Sequence, residues 1–296
     1  MVTSTTTPAD DATAGSPVLD RSIGDIIRDA RNLSAAEVEQ VLSYQREKGV
    51  RFGEAAIALG LATNDDVLSA LAQQFHYPLA AADKRNVNPE LVSLNQPFSV
   101  QAEAFRAIRS QISMRSDPTA RTTRSALAIV SPATGDGKTY VAANLAIAMA
   151  QLGGRVLLVD ADLRGPRQHE VFGLSNNAGL STILSGRSES QVIQQVEAIP
   201  NLFVLPGGPL PPNPSELVER PAFGLLMREL CGKFDQVLVD TPAAQYGADA
   251  AVISARCGSA LVLARKNSSK VVGLQELVAH LQGGAVEVAG ALVNEY

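Results

Sequence analysis

The stretch ALAIVSPATGDGKTY, residues 126–140, joins an apolar run to a glycine-containing loop, and this junction decides the fold prediction. ALAIV is typical of a strand that is buried on both faces. Gly135 and Gly137 allow the following backbone to fold so that several N–H groups point inward and can bind phosphate. Lys138 would neutralise the phosphate oxygens, and the Thr139 hydroxyl would ligate Mg²⁺. Glycine is also common in ordinary strand-to-helix turns, but GKT directly after a buried strand favours phosphate binding.

The chain beyond this loop alternates short apolar runs with helical patterns. The runs are RVLLVD, LFVLPGG, DQVLVD, SALVLAR and VEVAGALV, and the helical patterns lie at 140–152 and around 215–231 and 270–282. An amphipathic pattern at 100–115 precedes the loop. Short strands separated by helices predict parallel strands covered by helices on both faces. The sequence therefore predicts an α/β fold over residues 100–296, a doubly wound and mostly parallel sheet of the P-loop NTPase class.

Three carboxylates stand where predicted strands end. VLLVDADLR ends one strand with Asp160 and Asp162, and VLVDTPA ends another with Asp240. The carboxyl ends of parallel strands share the edge of the sheet where ligands bind. Acidic groups that converge there repel one another unless a cation lies among them. A single Asp could instead cap the next helix, but three beside GKT favour a site for Mg²⁺ and a nucleotide.

The part of the chain before residue 100 divides into three segments. Residues 1–20 are rich in Thr, Ala, Asp and Pro and lack Lys and Arg, which predicts a disordered tail. Residues 21–80 carry a helical pattern in two copies, in which Gly24 falls on Gly53, and this predicts a small all-helical N-terminal domain. Residues 81–99 carry turn residues and little periodicity, which is typical of a linker.

Each copy of the repeat pairs a short helix with a longer helix that begins at a side-chain cap. Ser34 and Glu37 form one capping box, and Thr63 and Asp66 form a weaker one. We expect a duplicated helical module that is too small to be the catalytic body.

The bulk composition limits the classes of function. Of the 296 residues 46% are hydrophobic, which is enough to bury a core, and the net charge of -5 argues against nucleic acid as a partner. The two cysteines, Cys231 and Cys257, are too few for a disulfide framework and suit a reducing compartment. The N-terminal residues MVTSTTTPADDATAGSP have neither a basic region nor an apolar core of the signal-peptide kind. We therefore expect a cytoplasmic protein that a partner can recruit to the inner face of the cell membrane.

The three motifs IVSPATGDGKT, VLLVDADLR and VLVDTPA resemble the Walker motifs of the bacterial tyrosine kinases, whose loop typically reads Ser-x-x-Pro-Gly-Glu-Gly-Lys-Ser/Thr. Pro132 stands where the general phosphate-loop pattern has a glycine, and this family does not use that glycine. Thr134 in place of the family's Pro and Asp136 in place of its Glu are departures. The partitioning and septum-positioning ATPases are the alternative, but they carry a signature lysine where this chain has Ala133.

The resemblance covers about residues 96–296 and implies ATP and Mg²⁺ as cofactors. In the family, the residues that match Asp160 and Asp162 help to bind the metal, the first is the candidate base for the tyrosine proton, and the match to Asp240 ligates Mg²⁺ through water. The implied catalytic residues are Lys138, Asp160, Asp162 and Asp240, and the implied metal-binding residues are Thr139, Asp160, Asp162 and Asp240. The implied nucleotide contacts are Thr134, Gly135, Asp136, Gly137, Lys138, Thr139, Tyr140 and Arg164, with Asn294 of ALVN near adenine.

Glu103, Arg106 and Arg109 match the Glu-x-x-Arg-x-x-Arg motif that mediates ring-like self-association in this family. Their spacing places them along one side of a helix, where they could pair with another subunit. Spacing alone favours a solvated charged face, so both interpretations stay open. The resemblance further implies a membrane chain-length determinant, a polysaccharide copolymerase, as partner.

The segment RFGEAAIALGLATNDDVLSALAQQ resembles the N-terminal domain of type II secretion and pilus-assembly ATPases, some of which bind cyclic di-GMP through two tandem motifs. The matching positions in copy two include Arg51, Gly53, Gly60 and Gln74. Copy one has Ser22 at the Arg position and Arg31 at the second Gly position. Cyclic di-GMP binding and a docking module without a ligand are the two alternatives. This module joined to this kinase domain most resembles the chain-length-determinant tyrosine kinases of exopolysaccharide loci.

Two functions follow from the resemblance. The first is an ATP-dependent protein tyrosine (auto)kinase that regulates exopolysaccharide chain length or export, with Tyr296 and Tyr246 as candidate phosphoacceptors. The second is a nucleotide-switched ATPase scaffold that assembles with the membrane copolymerase without phosphorylating tyrosine. A metabolic P-loop enzyme with a small-molecule acceptor is a third interpretation, and the Asp-x-Asp motif argues against it.

Overall fold

The structure is a computed structural model, and it describes residues 21–74, 88–115, 125–187 and 191–295. The predicted tail at 1–20, the end of the helical module with the first part of the predicted linker (75–87), and Tyr296 lie outside the described residues. The chain divides into two units, Met1–Leu79 and Ala80–Tyr296, and each has a core of its own.

Side-chain caps begin the longer helices of the N-terminal unit. Its helices are α1 (Ile23–Arg31), α2 (Ala35–Lys48), α3 (Phe52–Ala58) and α4 (Asn64–Gln74). Before α2, Ser34 N donates to Glu37 Oε2 at 2.8 Å while Glu37 N donates to Ser34 Oγ at 3.3 Å. Before α4, Thr63 N donates to Asp66 Oδ2 at 2.7 Å and Asp66 N donates to Thr63 Oγ1 at 3.3 Å. Both predicted capping boxes are present.

The larger unit alternates strands and helices along the chain. Its elements are α5 (Val92–Asn95), α6 (Val100–Arg115), β1 (Ala126–Val130), α7 (Lys138–Ala150), β2 (Val156–Asp160), α8 (Gln168–Phe172), α9 (Leu180–Leu184), β3 (Gln194–Gln195), β4 (Leu202–Leu205), α10 (Pro214–Glu219), α11 (Pro221–Lys233), β5 (Gln236–Asp240), α12 (Asp249–Cys257), β6 (Gly258–Arg265), α13 (Val271–Gly283) and β7 (Glu287–Asn294). A 3₁₀ turn, Ala244–Tyr246, follows β5.

The strands form one sheet in the order β3-β4-β2-β5-β1-β6-β7. The short β3 is antiparallel to β4, and the other neighbouring pairs are parallel. The predicted doubly wound, mostly parallel sheet is confirmed.

The central strand β1 shows why its sequence is apolar throughout. Ala126, Ala128 and Val130 belong to the hydrophobic core on one face of the sheet. Leu127 and Ile129 belong to the core on the other face, which α7 covers. Alternate residues of a strand point to opposite faces, so a strand with helices on both sides needs apolar residues at every position.

The described part of the predicted linker packs against the larger unit. Leu91 and Leu94 are buried in the same core as α7. Asn144 of α7, which is fully buried, accepts from Ser93 N at 2.8 Å and donates to Glu90 O at 2.7 Å. From residue 88 on, this segment is therefore part of the larger unit and differs from the predicted linker. The prediction missed this because turn residues surround the two leucines in the sequence and obscure their apolar pattern.

No helix among the described residues has both the length and the apolar character that crossing a bilayer requires.

Candidate functional site

The loop between β1 and α7 has the backbone that its glycines predict. Gly135 has φ 83° and Gly137 has φ 100°, both in the left-handed region that other residues avoid. A Cβ on Gly137 would also collide with the side-chain amide of Asn294. Asn294 Nδ2 in turn donates to Asp136 O at 3.0 Å, which ties the end of β7 to the loop.

Lys138 is buried at the start of α7 and points its ammonium group into the loop. It is 7% exposed, and its Nζ donates to Ser131 Oγ at 3.1 Å. Because the hydroxyl is a neutral acceptor, this contact leaves the lysine charge without a carboxylate partner at hydrogen-bonding distance among the described residues. A phosphate in the loop would supply the missing negative charge.

The Asp136 side chain stabilises the conformation of the loop by hydrogen bonds. Its Oδ2 accepts from Ala133 N at 2.9 Å, and its Oδ1 accepts from Ser269 Oγ at 2.8 Å. The carboxylate is buried and does not line the cavity beside the loop. Thus the acidic residue of the loop, which the resemblance assigns to nucleotide binding, stabilises the loop conformation through its side chain.

Asp160 shapes the turn that follows β2. It is fully buried, and it accepts from the main-chain N–H groups of Asp162 at 3.2 Å, Arg167 at 3.0 Å and Gln168 at 2.9 Å. Burial and the neighbouring Asp240 raise the pKa of this carboxyl well above its usual range.

Asp240 lies opposite Asp160 in the register of β2 and β5. Its Oδ2 accepts from Gln168 Nε2 at 2.9 Å, whereas its buried Oδ1 has no hydrogen-bond partner in the described structure. Burial raises the pKa of Asp240 to about 6, against the lowering effects of the Thr139 hydroxyl and the Lys138 ammonium group. Asp160 and Asp240, two of the three carboxylates that the sequence predicts to converge, therefore lie at the same edge of the sheet.

A cavity of about 810 Å³ opens beside the loop. The predicted site residues that line it are Thr134, Gly135, Gly137, Lys138, Thr139, Tyr140, Asp162 and Asn294. Asp162 accepts from Arg164 N and Gly165 N at 3.1 Å through Oδ1. Asp160, Asp240 and Arg164 are not in the lining of the cavity.

Arg164 is held by protein groups outside this cavity. Its Nε donates to Asp249 Oδ2 at 2.8 Å and its Nη2 donates to Ser215 Oγ at 2.9 Å. Its guanidinium carbon lies 5.6 Å from the centre of the Tyr246 ring. The side chain therefore joins three elements of the fold and does not contact the space where the loop would hold phosphate.

Several site residues have no motif of their own in the sequence. Gln168 connects Asp160 and Asp240, Arg265 Nη1 donates to Gly135 O at 3.2 Å, and Arg167 Nη2 donates to Glu90 Oε1 at 2.7 Å. Arg167, Glu90 and Arg265 also line the cavity. Only their proximity to the motifs along the chain or across the sheet could have indicated them, and Glu90 lies in the segment predicted as a linker.

Tyr246 lies beside the phosphate loop. Thr134 Oγ1 donates to its hydroxyl at 3.2 Å, and the residue is 48% exposed. Tyr296, the other candidate phosphoacceptor, lies outside the described residues.

The motif residues of α6 make contacts within their own chain. Arg106 Nη1 contacts Glu103 Oε2 at 2.5 Å, and Arg106 also donates to Pro97 O. Arg109 Nη1 donates to Ala148 O near the end of α7 at 2.8 Å. The Glu103 side chain stays 70% exposed. Both arginines thus bind main-chain carbonyls of their own unit while staying partly exposed, and self-association through these three residues stays a prediction.

The glycines of the N-terminal repeat have structural roles. A Cβ on Gly53 would lie 2.8 Å from Val67 Cγ1, so this glycine allows α3 to pack closely on α4. Gly60 has φ 70° in the turn after α3. Arg31, at the glycine position of copy one, donates to Asp66 Oδ2 at 2.6 Å. Arg51 is exposed at the start of α3 and Gln74 is partly buried at the end of α4.

The donors near the loop fit Mg²⁺ that arrives with a nucleotide. Across the described ranges, no three His, Cys, Asp or Glu side chains converge to hold a metal by themselves. Mg²⁺ in phosphate sites typically binds one or two carboxylates, water and phosphate oxygens. The unpartnered Oδ1 of Asp240, near the hydroxyl of Thr139, suits such a shared shell.

The sequence is similar to nucleotide-binding proteins over most of this unit. Residues 127–296 match the model of the CobQ/CobB/MinD/ParA nucleotide binding domain. The chain is 38% identical over 188 residues to tyrosine-protein kinase YwqD of Bacillus subtilis, and these residues cover 63% of this chain and 76% of that relative. It is 32% identical over 211 residues to tyrosine-protein kinase wzc of Salmonella typhi, but these residues cover 71% of this chain and 29% of that relative. The chain thus spans less than a third of the longer relative.

Solved structures agree with the sequence matches. The kinase domain of Escherichia coli tyrosine kinase ETK superposes with a TM-score of 0.65 and 30% identity, covering 74% of this chain and 88% of that one. The septum site-determining protein MinD of Pyrococcus horikoshii, solved with Mg-ADP, superposes with a TM-score of 0.51 and 26% identity, covering 58% of this chain and 70% of that one.

Proposed function

The chain belongs to the bacterial tyrosine-protein kinases, and from this membership we propose that it transfers the γ-phosphoryl group of ATP to protein tyrosine. The observation that carries the proposal is the cavity at the phosphate loop, which is lined by Lys138, Thr139 and Asp162. A triphosphate needs a cation, inward N–H groups and a hydroxyl for its metal, and this lining can supply all three.

The loop residues would bind and orient the phosphates. The main-chain N–H groups around Gly135 and Gly137 would hold the phosphate oxygens, and Lys138 would exchange its contact with Ser131 for the β- and γ-phosphates. Bound Mg²⁺ would neutralise charge on the same oxygens, with Thr139 and Asp240 as the residues that hold it.

Asp162 is the carboxylate best placed to receive the tyrosine proton. The resemblance gives this role to Asp160, but Asp160 is fully buried and its oxygens accept three main-chain N–H groups. Asp162 lines the cavity and is only partly buried. A base must reach the hydroxyl from which it takes the proton, so we assign the base to Asp162 and the shaping of the turn to Asp160.

Tyr246 is the described tyrosine that we propose as phosphoacceptor, because its hydroxyl is 3.2 Å from Thr134 of the phosphate loop. Tyr296 remains a second candidate. Intact-mass and peptide mass spectrometry of the purified protein distinguishes the two sites.

The test of the kinase proposal compares the wild type with Lys138→Ala. Removing a charge-assisted contact to phosphate costs about 1.5–3 kcal/mol, so ATP affinity should fall about 10- to 100-fold. Phosphotyrosine should be present in the wild type and absent in this variant. Lys233→Ala is the matched control, since Lys233 is an exposed partner of Glu229 on α11.

Two outcomes would contradict the proposal in different ways. Unchanged ATP affinity in Lys138→Ala would exclude the loop as the nucleotide site. ATP hydrolysis without phosphotyrosine would instead favour the nucleotide-switched scaffold, which shares the same site but transfers no phosphate to protein.

We extend the proposal to partners of the kinase. Family membership supports regulation of exopolysaccharide chain length or export together with a membrane copolymerase that recruits this chain, and Glu103 is the exposed motif residue available for a ring-like homo-oligomer. We expect this protein to be recovered in the membrane fraction together with the copolymerase. It should leave that fraction when the copolymerase is deleted.

For the N-terminal unit we propose a docking module, because packing and turn geometry account for Gly53 and Gly60 without a ligand. Calorimetry of the full chain with cyclic di-GMP should show no heat at high micromolar ligand. Saturable heat that Arg51→Ala abolishes would establish the dinucleotide site instead.

A further inference from the structure

Gln168 forms hydrogen bonds to a residue from each of the three sequence motifs of the site. It is the first residue of α8 and is fully buried. Its main-chain N donates to Asp160 Oδ2 at 2.9 Å, and its side-chain Nε2 donates to Asp240 Oδ2 at 2.9 Å and to Thr139 O at 3.2 Å. The sequence motifs do not include this residue, and the family resemblance assigns it no role.

The orientation of the Gln168 amide is determined by its neighbours. Both groups that contact Nε2 are acceptors, a carboxylate and a main-chain carbonyl. A flipped amide would place Oε1 against these two oxygens, so the nitrogen has to face them. Oε1 consequently points away from both, and it is buried without a hydrogen-bond partner in the described structure.

The contact also decides which oxygen of Asp240 is available. Gln168 engages Oδ2, and Oδ1 is buried with no partner among the described residues. The hydrogen-bonded side chains of Gln168 and Asp240 thus each have one buried acceptor oxygen without a donor among the described residues. Burying such groups unsatisfied is costly, and a bound water or cation is the usual explanation.

We propose that Gln168 is a positioning residue for the Mg²⁺ that accompanies the nucleotide, holding Asp240 by Oδ2 so that Oδ1 is directed to the hydration shell of the cation. The inference rests on the proposed nucleotide site. Water in that shell has donor hydrogens, and one of them can satisfy the buried Asp240 Oδ1. The Mg²⁺ affinity of the nucleotide complex therefore depends on a neutral side chain that is not itself a ligand.

The side chain can be changed without losing the main-chain contact to Asp160, because every residue except proline keeps its N–H. Gln168→Met keeps the length of the side chain and removes both polar atoms. Gln168→Asn keeps the amide but withdraws it by one methylene, so it provides a second variant if the methionine variant does not fold. Gln194→Met is the matched control, since Gln194 also bonds through both side-chain atoms, to Ser175 at the outer strand β3.

The experiment is a fluorescence titration of the full chain with mant-ADP, first in EDTA and then at increasing Mg²⁺ concentrations. For Gln168→Met we expect an affinity in EDTA within about twofold of the wild type. The Mg²⁺ concentration that half-saturates the tightening should rise about tenfold or more, as expected for the loss of one hydrogen bond to a charged group. Gln194→Met should match the wild type in both measurements.

An unchanged Mg²⁺ requirement in both Gln168 variants would overturn the inference. An equal loss of affinity in EDTA and in Mg²⁺ would also overturn it, because Gln168 would then support the loop as a whole. Failure of the proposed function is distinguishable: a wild type that binds no mant-ADP refutes the nucleotide site, and a wild type that binds Mg-ADP without forming phosphotyrosine refutes the kinase alone.

Discussion

Gly137 is the residue at which the phosphate loop tolerates least change. Its φ of 100° disfavours any side chain, and its Cβ position is occupied by the Asn294 amide. Gly137→Ala should therefore displace the loop and weaken ATP binding at least tenfold. Gly153, with φ 94° and no atom within 4 Å of its Cβ position, offers a control that carries the backbone strain alone.

The measurement is ATP affinity by calorimetry together with the urea midpoint of each variant. Gly153→Ala should lower stability by about 1 kcal/mol from the left-handed backbone while leaving ATP affinity unchanged. Equal ATP affinity in the two variants would mean that the contact with Asn294 does not control the loop.

Asp240 makes the stability of the nucleotide-free protein depend on pH. Its folded pKa of about 6 lies above the usual value of 3.8, so its stabilising contribution is complete below about pH 4 and is lost as the pH rises through 6. The groups that face it are Asp160 and Asp162, which oppose its ionisation, and Lys138, which favours it. The wild type should consequently lose on the order of 1 kcal/mol from this group between pH 5 and pH 7.5.

Urea denaturation at the two pH values tests this, with Asp240→Asn expected to show the smaller difference. Glu295→Gln is the control: its pKa is lowered by Lys266, so its contribution is already complete at both pH values. A pH difference in Asp240→Asn as large as that of the wild type would assign the dependence to another group.

At the scale of elements, α6 carries one residue for testing fold stability and another for testing the proposed assembly. Arg109 donates to the main chain of α7, whereas the Glu103 side chain is mostly exposed. Arg109→Ala should lower the free energy of unfolding by about 1–2 kcal/mol, since it leaves a carbonyl near a helix end without its charged donor. Glu103→Ala should leave stability within about 0.5 kcal/mol and weaken self-association.

Sedimentation velocity and urea denaturation of both variants give the two readouts. If Glu103→Ala sediments as the wild type does at every concentration, Glu103 does not contribute to assembly.

The sequence predicted those elements whose pattern reflects their surroundings. β1 is apolar throughout, and β2 and β5 are apolar except at their terminal polar residues, because helices cover both faces. The order of these strands with the intervening helices was enough to predict the sheet. The four-residue α5 was missed because turn residues surround its buried leucine. The main-chain partners of Arg106 and Arg109 could not be predicted either, since main-chain carbonyls have no signature in the sequence.

The same limit explains which contacts at the site the motifs could not show. Motif spacing located Lys138, Thr139 and the strand-end carboxylates, because the ends of parallel strands meet at one edge. It could not show that Asp136 and Asp160 turn their oxygens toward main-chain N–H groups, which only the folded loops bring near. Gln168 joins the carboxylates from a separate helix and has no spacing rule.

At the scale of the whole molecule, the two units should unfold separately. The N-terminal helices bury their own cluster, which includes Ile27, Val41 and Ala55. We expect a fragment of residues 17–80 to be helical with a cooperative thermal transition, and the full chain to show two transitions in scanning calorimetry. ATP should raise the midpoint of only one of them. A single transition that ATP shifts as a whole would show that the units unfold together.

The sheet order also determines when the larger unit can form during synthesis. β1 lies between β5 and β6 in the sheet. Of these two neighbours, β5 comes first along the chain, and it pairs Leu238 with Leu127 of β1. Roughly a hundred residues must be translated before β1 finds any neighbour, which takes about 5–20 s at ribosomal rates of about 5–20 residues per second. During that interval a strand destined for the interior is exposed to water. In a nascent chain paused before residue 236, the larger unit should therefore bind chaperones and be cleaved by protease, and the emergence of β5 should reduce both effects.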